Sequence, residues 1–189
     1  MDLVYLIRHG RPAAVWGGDD DDPGLDETGA AQAGAAAKIL LALPEGSRPR
    51  AVASSPLRRC RETAEPLAKT LGVPVEIVPE VGEVPTPAAL TPLQRPGWLR
   101  AAFAGRWAEM EGDLDYEAWR RQVAQAVAAR PGAAIFSHFV AINAVLSLIA
   151  GDDRVMGFRP DHTSISTLSI GPGGLSLVER GREAATGVL

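Results

Sequence analysis

Leu3-Val4-Tyr5-Leu6-Ile7 is an unbroken run of five apolar residues that stops abruptly at Arg8-His9-Gly10. A strand covered on one face alternates apolar with polar residues; a run without alternation is expected where both faces of a parallel sheet are covered. Ala51–Ser54, Val75–Val78 and Ala133–Ser137 read the same way, and each adjoins a helical pattern. Strands that alternate with helices build right-handed β-α-β units around a parallel sheet. The expected fold is therefore a three-layer α/β/α sandwich with a mostly parallel central sheet.

The helices are read from spacing and end signals. Leu57, Cys60, Ala64, Leu67 and Leu71 recur at steps of three and four until Gly72 and Pro74. Ser55 as N-cap with Pro56 at the first helical position gives that helix its expected start. Ala30, Ala33, Ala37 and Leu41 form a small-residue stripe between Asp26 and Pro44, as for a helix lying close on the sheet. Tyr116, Trp119, Val123 and Val127 mark another, closed by Pro131-Gly132, and the almost wholly apolar stretch from Phe139 to Ala150 reads as a buried helix ending at Gly151. Ile165 to Ile170 and Leu175 to Val178 flank Gly171-Pro172-Gly173-Gly174 and predict an antiparallel hairpin at the sheet edge. Residues 84–114, with Pro85, Pro87, Pro92 and Pro96 beside Trp98, Phe103 and Trp107, read as a small cap insertion over one end of the sheet. The expected organisation is one domain over residues 1–189.

With 189 residues, 46% of them hydrophobic and 22% charged, the composition is that of a globular domain rather than of a disordered chain. A net charge of −4 argues against general binding of nucleic acid or acidic membranes. One cysteine cannot pair within the chain, and no Cys/His cluster has zinc-finger spacing, so neither a disulfide nor a structural metal is expected. A reducing, cytoplasmic setting fits. The N-terminal apolar run is too short and wrongly flanked for a signal peptide, and no run approaches the ~18 residues of a membrane span.

Three polar clusters fall at the expected carboxyl ends of strands: Arg8-His9-Gly10, Ser54-Ser55-Pro56-Leu57-Arg58-Arg59 and Ser137-His138. Open α/β sheets bind ligands at those ends, so clusters distant in sequence can share a pocket. Arg58, Arg59 and Arg61 crowd a helix start that already carries about half a positive charge, an arrangement that an anion nearby relieves. Helix N–H groups and guanidinium forks suit a phosphate. Two histidines beside it can divide the labour, one attacking phosphorus and the other steadying charge, with a buried carboxylic acid protonating the leaving oxygen.

The ordered set Arg8-His9-Gly10, Ser54-Ser55-Pro56-Leu57-Arg58-Arg59 and Ser137-His138 resembles the histidine phosphatase superfamily, also called phosphoglycerate-mutase-like. Leu25-Asp26-Glu27-Thr28-Gly29-Ala30-Ala31-Gln32-Ala33 resembles its leucine-threonine-x-x-glycine-x-x-glutamine-alanine helix start, with Asp26 in place of threonine. The resemblance implies a phosphomonoester hydrolase that needs no metal or other cofactor and takes a small phosphorylated substrate. By position it implies His9 as the nucleophile, Arg8, Arg59 and His138 as phosphoryl-binding groups, and Glu83 as general acid, with Gly10, Phe139 and His162 in supporting positions. The chain departs from the family pattern at Pro12 and Val15, where many members carry a hydroxyl residue and an asparagine. Phe139 replaces the glycine after the second histidine, and Val84-Pro85-Thr86-Pro87 replaces the run that usually follows the acid.

Each assignment has a plainer counterpart. Arg58 and Arg61 read as solvated helix residues, Cys60 as a structural thiol on an apolar stripe, and Asp19 to Asp22 as a solvated acidic loop. Trp16, Trp98 and Trp107 read as aromatic packing, and Glu80 is the alternative acid. The contrasting function is a phospho-ligand or phosphoprotein binding module that keeps the clamp without efficient chemistry. A mutase fits less well, since mutases of this superfamily run longer. The particular substrate is not encoded legibly, and a homodimer stays open.

Overall fold

The computed structural model describes residues 2–14, 20 and 22–185; Val15, Trp16, Asp19 and Asp21 lie outside the described residues. Six strands form one sheet in the order β3-β2-β4-β1-β5-β6. They are β1 (Asp2–Arg8), β2 (Ala51–Ser54), β3 (Val75–Ile77), β4 (Ala133–Ser137), β5 (Ile165–Gly171) and β6 (Gly174–Glu179). β1, β2, β3 and β4 run parallel, whereas β5 joins β1 antiparallel and carries β6 as the edge of a hairpin.

The alternation hidden in the apolar runs separates two cores. Val4 and Leu6 of β1, with Ala133 and Ile135 of β4, pack beneath α4 (Tyr116–Ala128) and α5 (Phe139–Ala150). Tyr5 and Ile7, with Ala134 and Phe136, pack against α1 (Glu27–Leu41) and α2 (Arg58–Leu71) on the other face. Both faces are covered, which is why these strands tolerate no polar residue until their carboxyl ends. Asp26 caps α1 by accepting the Gly29 N–H at 2.7 Å, and Gly72 and Gly151 close α2 and α5 in the left-handed conformation. Among the described residues no helix is long and apolar enough to cross a membrane.

Three expectations are corrected. Ser55 is not the N-cap of α2: the helix starts at Arg58 with Leu57 in the cap position and no side-chain cap from it. The cap comes from far away, because the Asp22 carboxylate accepts the Arg58 N–H at 2.8 and 3.1 Å. Asp22 is thus no free member of a solvated loop, and Arg58 is further paired with Glu62 at 2.7 Å. β3 is an exposed edge strand, with Glu76 paired to Arg130, rather than a strand buried like β1.

The segment 84–114 contains a helix, α3 (Arg95–Ala104), despite its prolines; Pro96 occupies the first turn, where its missing N–H costs nothing. Val84, Leu99, Ala102 and the fully buried Trp107 join the core under α4 and α5, and Trp107 Nε1 donates to Ser147 Oγ at 3.0 Å.

Candidate active site

Register brings the sequence clusters together. β1 and β4 run side by side with Arg8 opposite Ser137, and the His9 N–H donates to the Ser137 carbonyl at 3.0 Å. On the other side of β4, the Ser55 N–H donates to the Phe136 carbonyl at 3.0 Å. The carboxyl ends of β1, β2 and β4 are therefore neighbours, and the His9 and His138 ring centroids lie 5.2 Å apart.

Gly10 permits this turn. A Cβ on Gly10 would sit 2.7 Å from the Gly29 carbonyl oxygen, and one on Gly29 would collide with the Arg11 carbonyl. The chain leaving β1 thus crosses the first turn of α1 at backbone contact, where Gln32 accepts the Arg11 N–H at 2.9 Å. Thr63, fully buried on α2, accepts the Gly10 N–H at 2.9 Å and donates its hydroxyl to the Arg59 carbonyl at 2.6 Å.

The His9 ring has a defined proton. Its Nδ1 is 2.8 Å from the Gly10 carbonyl, which only accepts, so Nδ1 carries hydrogen and Nε2 carries the lone pair. Arg59 agrees, since its Nε donates to His9 Nε2 at 3.3 Å. Burial, then the Arg8 and Arg59 cations, hold the His9 pKa well below the usual imidazole value. The same guanidinium reaches the second histidine, with Arg59 Nη2 at 3.3 Å from His138 Nδ1. His138 is fully buried, and burial together with His9, Arg59, Arg8 and Arg95 holds it neutral as well.

Arg8 is buried, rests over the Phe139 ring at 5.3 Å and donates Nη1 to the Pro160 carbonyl at 2.8 Å. Its Nε is buried without a partner. Burial lowers its pKa to about 10, against the opposing pull of Glu83 and Asp161, so it stays charged at neutral pH. Phe139, where the family pattern has glycine, packs against both Arg8 and Phe103 of α3, whose ring centroid is 5.3 Å away. Glu83 follows Gly82; burial raises its pKa, although the Val84 N–H at 2.9 Å and Arg95, Arg59 and Arg8 pull the other way. Glu80 is exposed and stands apart from these interactions. Arg95 is tied to the loop after Glu83 through the Thr86 hydroxyl and the Val84 carbonyl.

His162 comes within 5.9 Å of the His9 ring, centroid to centroid. Burial and Arg8 depress its pKa to about 4. The next residue, Thr163, has φ +55°, a left-handed conformation that a β-branched side chain adopts only at a cost of about 1–3 kcal/mol. The strained turn lets the Thr163 N–H reach the Arg8 and His9 carbonyls at 3.1 and 3.4 Å.

Arg8, His9, Arg59 and His138 thus meet, together with Gly10, Phe139 and His162, and Glu83 is coupled to them through the charges of Arg59 and Arg8. Sequence reasoning missed Thr63, Asp22, Thr163, Arg95 and the true use of Ser55. Thr63 had a signal, because a polar residue adjoins the apolar stripe of Cys60, Ala64 and Leu67; a positive φ at threonine has none.

The histidine phosphatase superfamily (branch 1) profile matches residues 4–182. The chain belongs to the histidine phosphatase superfamily. A phosphoserine phosphatase from Entamoeba histolytica in complex with 3-phosphoglyceric acid has a similar fold, with a TM-score of 0.74, 20% identity and coverage of 96% of this chain and 98% of that one. A mycobacterial glucosyl-3-phosphoglycerate phosphatase with inorganic phosphate gives a TM-score of 0.70 and 23% identity over 99% of this chain and 100% of that one. Among curated proteins, the transcription factor tau 55 kDa subunit of Saccharomyces cerevisiae is 37% identical over 93 residues, which are 44% of this chain and 21% of that relative's length.

Proposed function

We propose that the chain is a phosphomonoester hydrolase that works through a phosphohistidine at His9 without a metal. The tautomer of His9 carries this reading: a neutral imidazole whose Nδ1 proton is engaged by Gly10 offers its Nε2 lone pair to the space bounded by Arg59 and His138. The unpaired, buried Nε of Arg8 adds a donor that a phosphoryl oxygen would satisfy. Superfamily membership and the phosphate-bearing ligands of the two structural neighbours agree with that ligand class.

In the first step the Nε2–P bond forms as the P–O bond to the leaving group breaks, and the protonated Glu83 gives its proton to the departing oxygen. Burial favours that protonated form. Arg8, Arg59 and His138 surround the charge on the transferring phosphoryl group. In the second step water attacks phosphorus, gives a proton to Glu83 carboxylate and displaces Nε2, restoring both groups.

Phosphate release from a panel of phosphomonoesters, measured in EDTA for the native protein and for His9→Ala, tests the proposal. Turnover that survives EDTA and falls at least ~10⁴-fold in His9→Ala supports it. Tight binding of orthovanadate with no turnover of any ester would replace it with the binding-module reading.

A further inference from the structure

Glu83 is held from two elements at once. The short helical turn Pro79–Val81 leads into it, and Ser137 of β4 donates its hydroxyl to the Val81 carbonyl at 2.7 Å. After it, the Val84 N–H turns back to Glu83 Oε1 at 2.9 Å, and the carbonyl of the same Val84 accepts Arg95 Nη2 at 3.0 Å. Arg95 Nη1 donates to the Thr86 hydroxyl, so one half-buried guanidinium fork spans both residues of the turn. A lysine, with its single point of charge, cannot span them. Arg95 also stands against its own helix: it is the first residue of α3, the end at which the helix dipole disfavours a cation, and no acidic residue in that first turn offsets it. Glu83 does so from outside the helix, each group acting on the charge of the other.

We propose that Arg95 is the positioning residue of the general acid, fixing the turn after Glu83 and keeping a positive charge on that carboxyl group while phosphate occupies Arg8 and Arg59. The inference deepens the phosphatase reading and rests on its assignment of Glu83. An acid in this place meets two opposed demands. Burial favours the protonated form but makes the proton hard to give up, and a cation draws the carboxyl group back towards the working pH. Arg59 of α2 and Arg8 of β1 act on Glu83 in the same sense, the Cys60 thiol lies within reach of its charge, and the Tyr116 phenol of α4 faces Arg95. A bound phosphoryl group offsets the charge of Arg8 and Arg59, and the pull of Arg95 is the one that remains. Arg95 acts through Glu83 and is not itself a catalytic residue.

The titration of Glu83, read from its ¹³Cδ chemical shift in the phosphate-free, ¹³C-labelled protein and assigned by the signal lost in Glu83→Gln, requires no turnover. Arg95→Gln should move its midpoint to higher pH by about 1 pH unit or more, and the alkaline limb of kcat/KM with it. Arg95→Lys, which keeps the charge but not the fork, should show less than half of that movement. It should still lower turnover of esters with poor leaving groups about 10-fold or more, through the loosened turn, and lower that of esters with good leaving groups less, since these need little proton donation. An unmoved Glu83 midpoint in folded Arg95→Gln overturns the proposal. Where that variant does not fold, Arg95→Lys decides: an unchanged rate, or an equal loss for both ester classes, overturns it as well. A native rate on poor leaving groups in Glu83→Gln would instead remove the acid assignment, and the proposal with it; because that failure is read on a different variant, the two are distinguishable.

Discussion

The strand-end clamp and the segment 84–114 are built by opposite rules. Arg8, His9, Ser55 and His138 sit where they do because β1, β2 and β4 run in parallel register; short polar residues then fall at one level of the sheet. The segment is placed by large apolar groups at irregular spacing, with Trp107 sunk into the α4–α5 core and Phe103 against Phe139. Register fixes the clamp to within a hydrogen bond, whereas burial alone allows many arrangements of the segment. In the proposed enzyme the invariable step, attack on phosphorus, falls to the first region, and Glu83 stands at the junction with the second.

The largest expected effect tests that junction. Glu83→Gln should lower turnover of esters with poor leaving groups by about 10²–10⁴-fold. A near-native rate would assign the acid to another residue in the segment and move the boundary between the two regions. Trp107→Ala should cost about 3–5 kcal/mol of stability by denaturant titration, as for any fully buried tryptophan, with orthovanadate affinity changed less than about twofold. Affinity that falls with stability would show the clamp leaning on the segment.

Acid should separate the regions by sign. His9 and His138 are held neutral in the fold and take up protons near pH 6.5 when unfolded, so their contribution to stability is lost as pH falls below about 6.5. Glu83, with its pKa raised, works the other way: its contribution is present at low pH and lost as pH rises above the usual carboxylate range. Melting temperatures between pH 5 and 8 should therefore fall towards acid, and Glu83→Gln should be relatively more stable than the native protein at pH 8 than at pH 4. A native melting temperature flat across pH 5 to 8 would mean that the histidines titrate normally. The smallest effect belongs to the segment's surface: Leu93, 82% exposed, should tolerate serine within about 0.5 kcal/mol.

This contrast also explains what the sequence made legible. Leu3–Ile7 and Ala133–Ser137 announce themselves because burial on both faces excludes polar residues, and the chemistry begins where that exclusion ends. Ser55 misleads because Ser-Pro is a sound local cap signal, and its real partner, His138, is 83 residues away. Asp22 is hidden in the same way, since a cap supplied across 36 residues leaves no local pattern. α3 is obscured by Pro92, Pro96 and Gly97, whose local preferences are overridden by the burial of Leu99 and Ala102. At Phe139 the departure from glycine is legible, but the contact its ring makes with Arg8 depends on a residue 131 positions away and leaves no local pattern.

The strand order also sets a timetable. β1 is the first strand to be synthesised, yet its neighbours in the sheet are β4 and β5, which follow more than a hundred residues later. Contacts at such separation carry a larger loop-closure cost and slow folding. His9 therefore cannot meet His138 or Thr163 until nearly the whole described chain has been made, and the site is complete only once β4 and the turn before β5 exist.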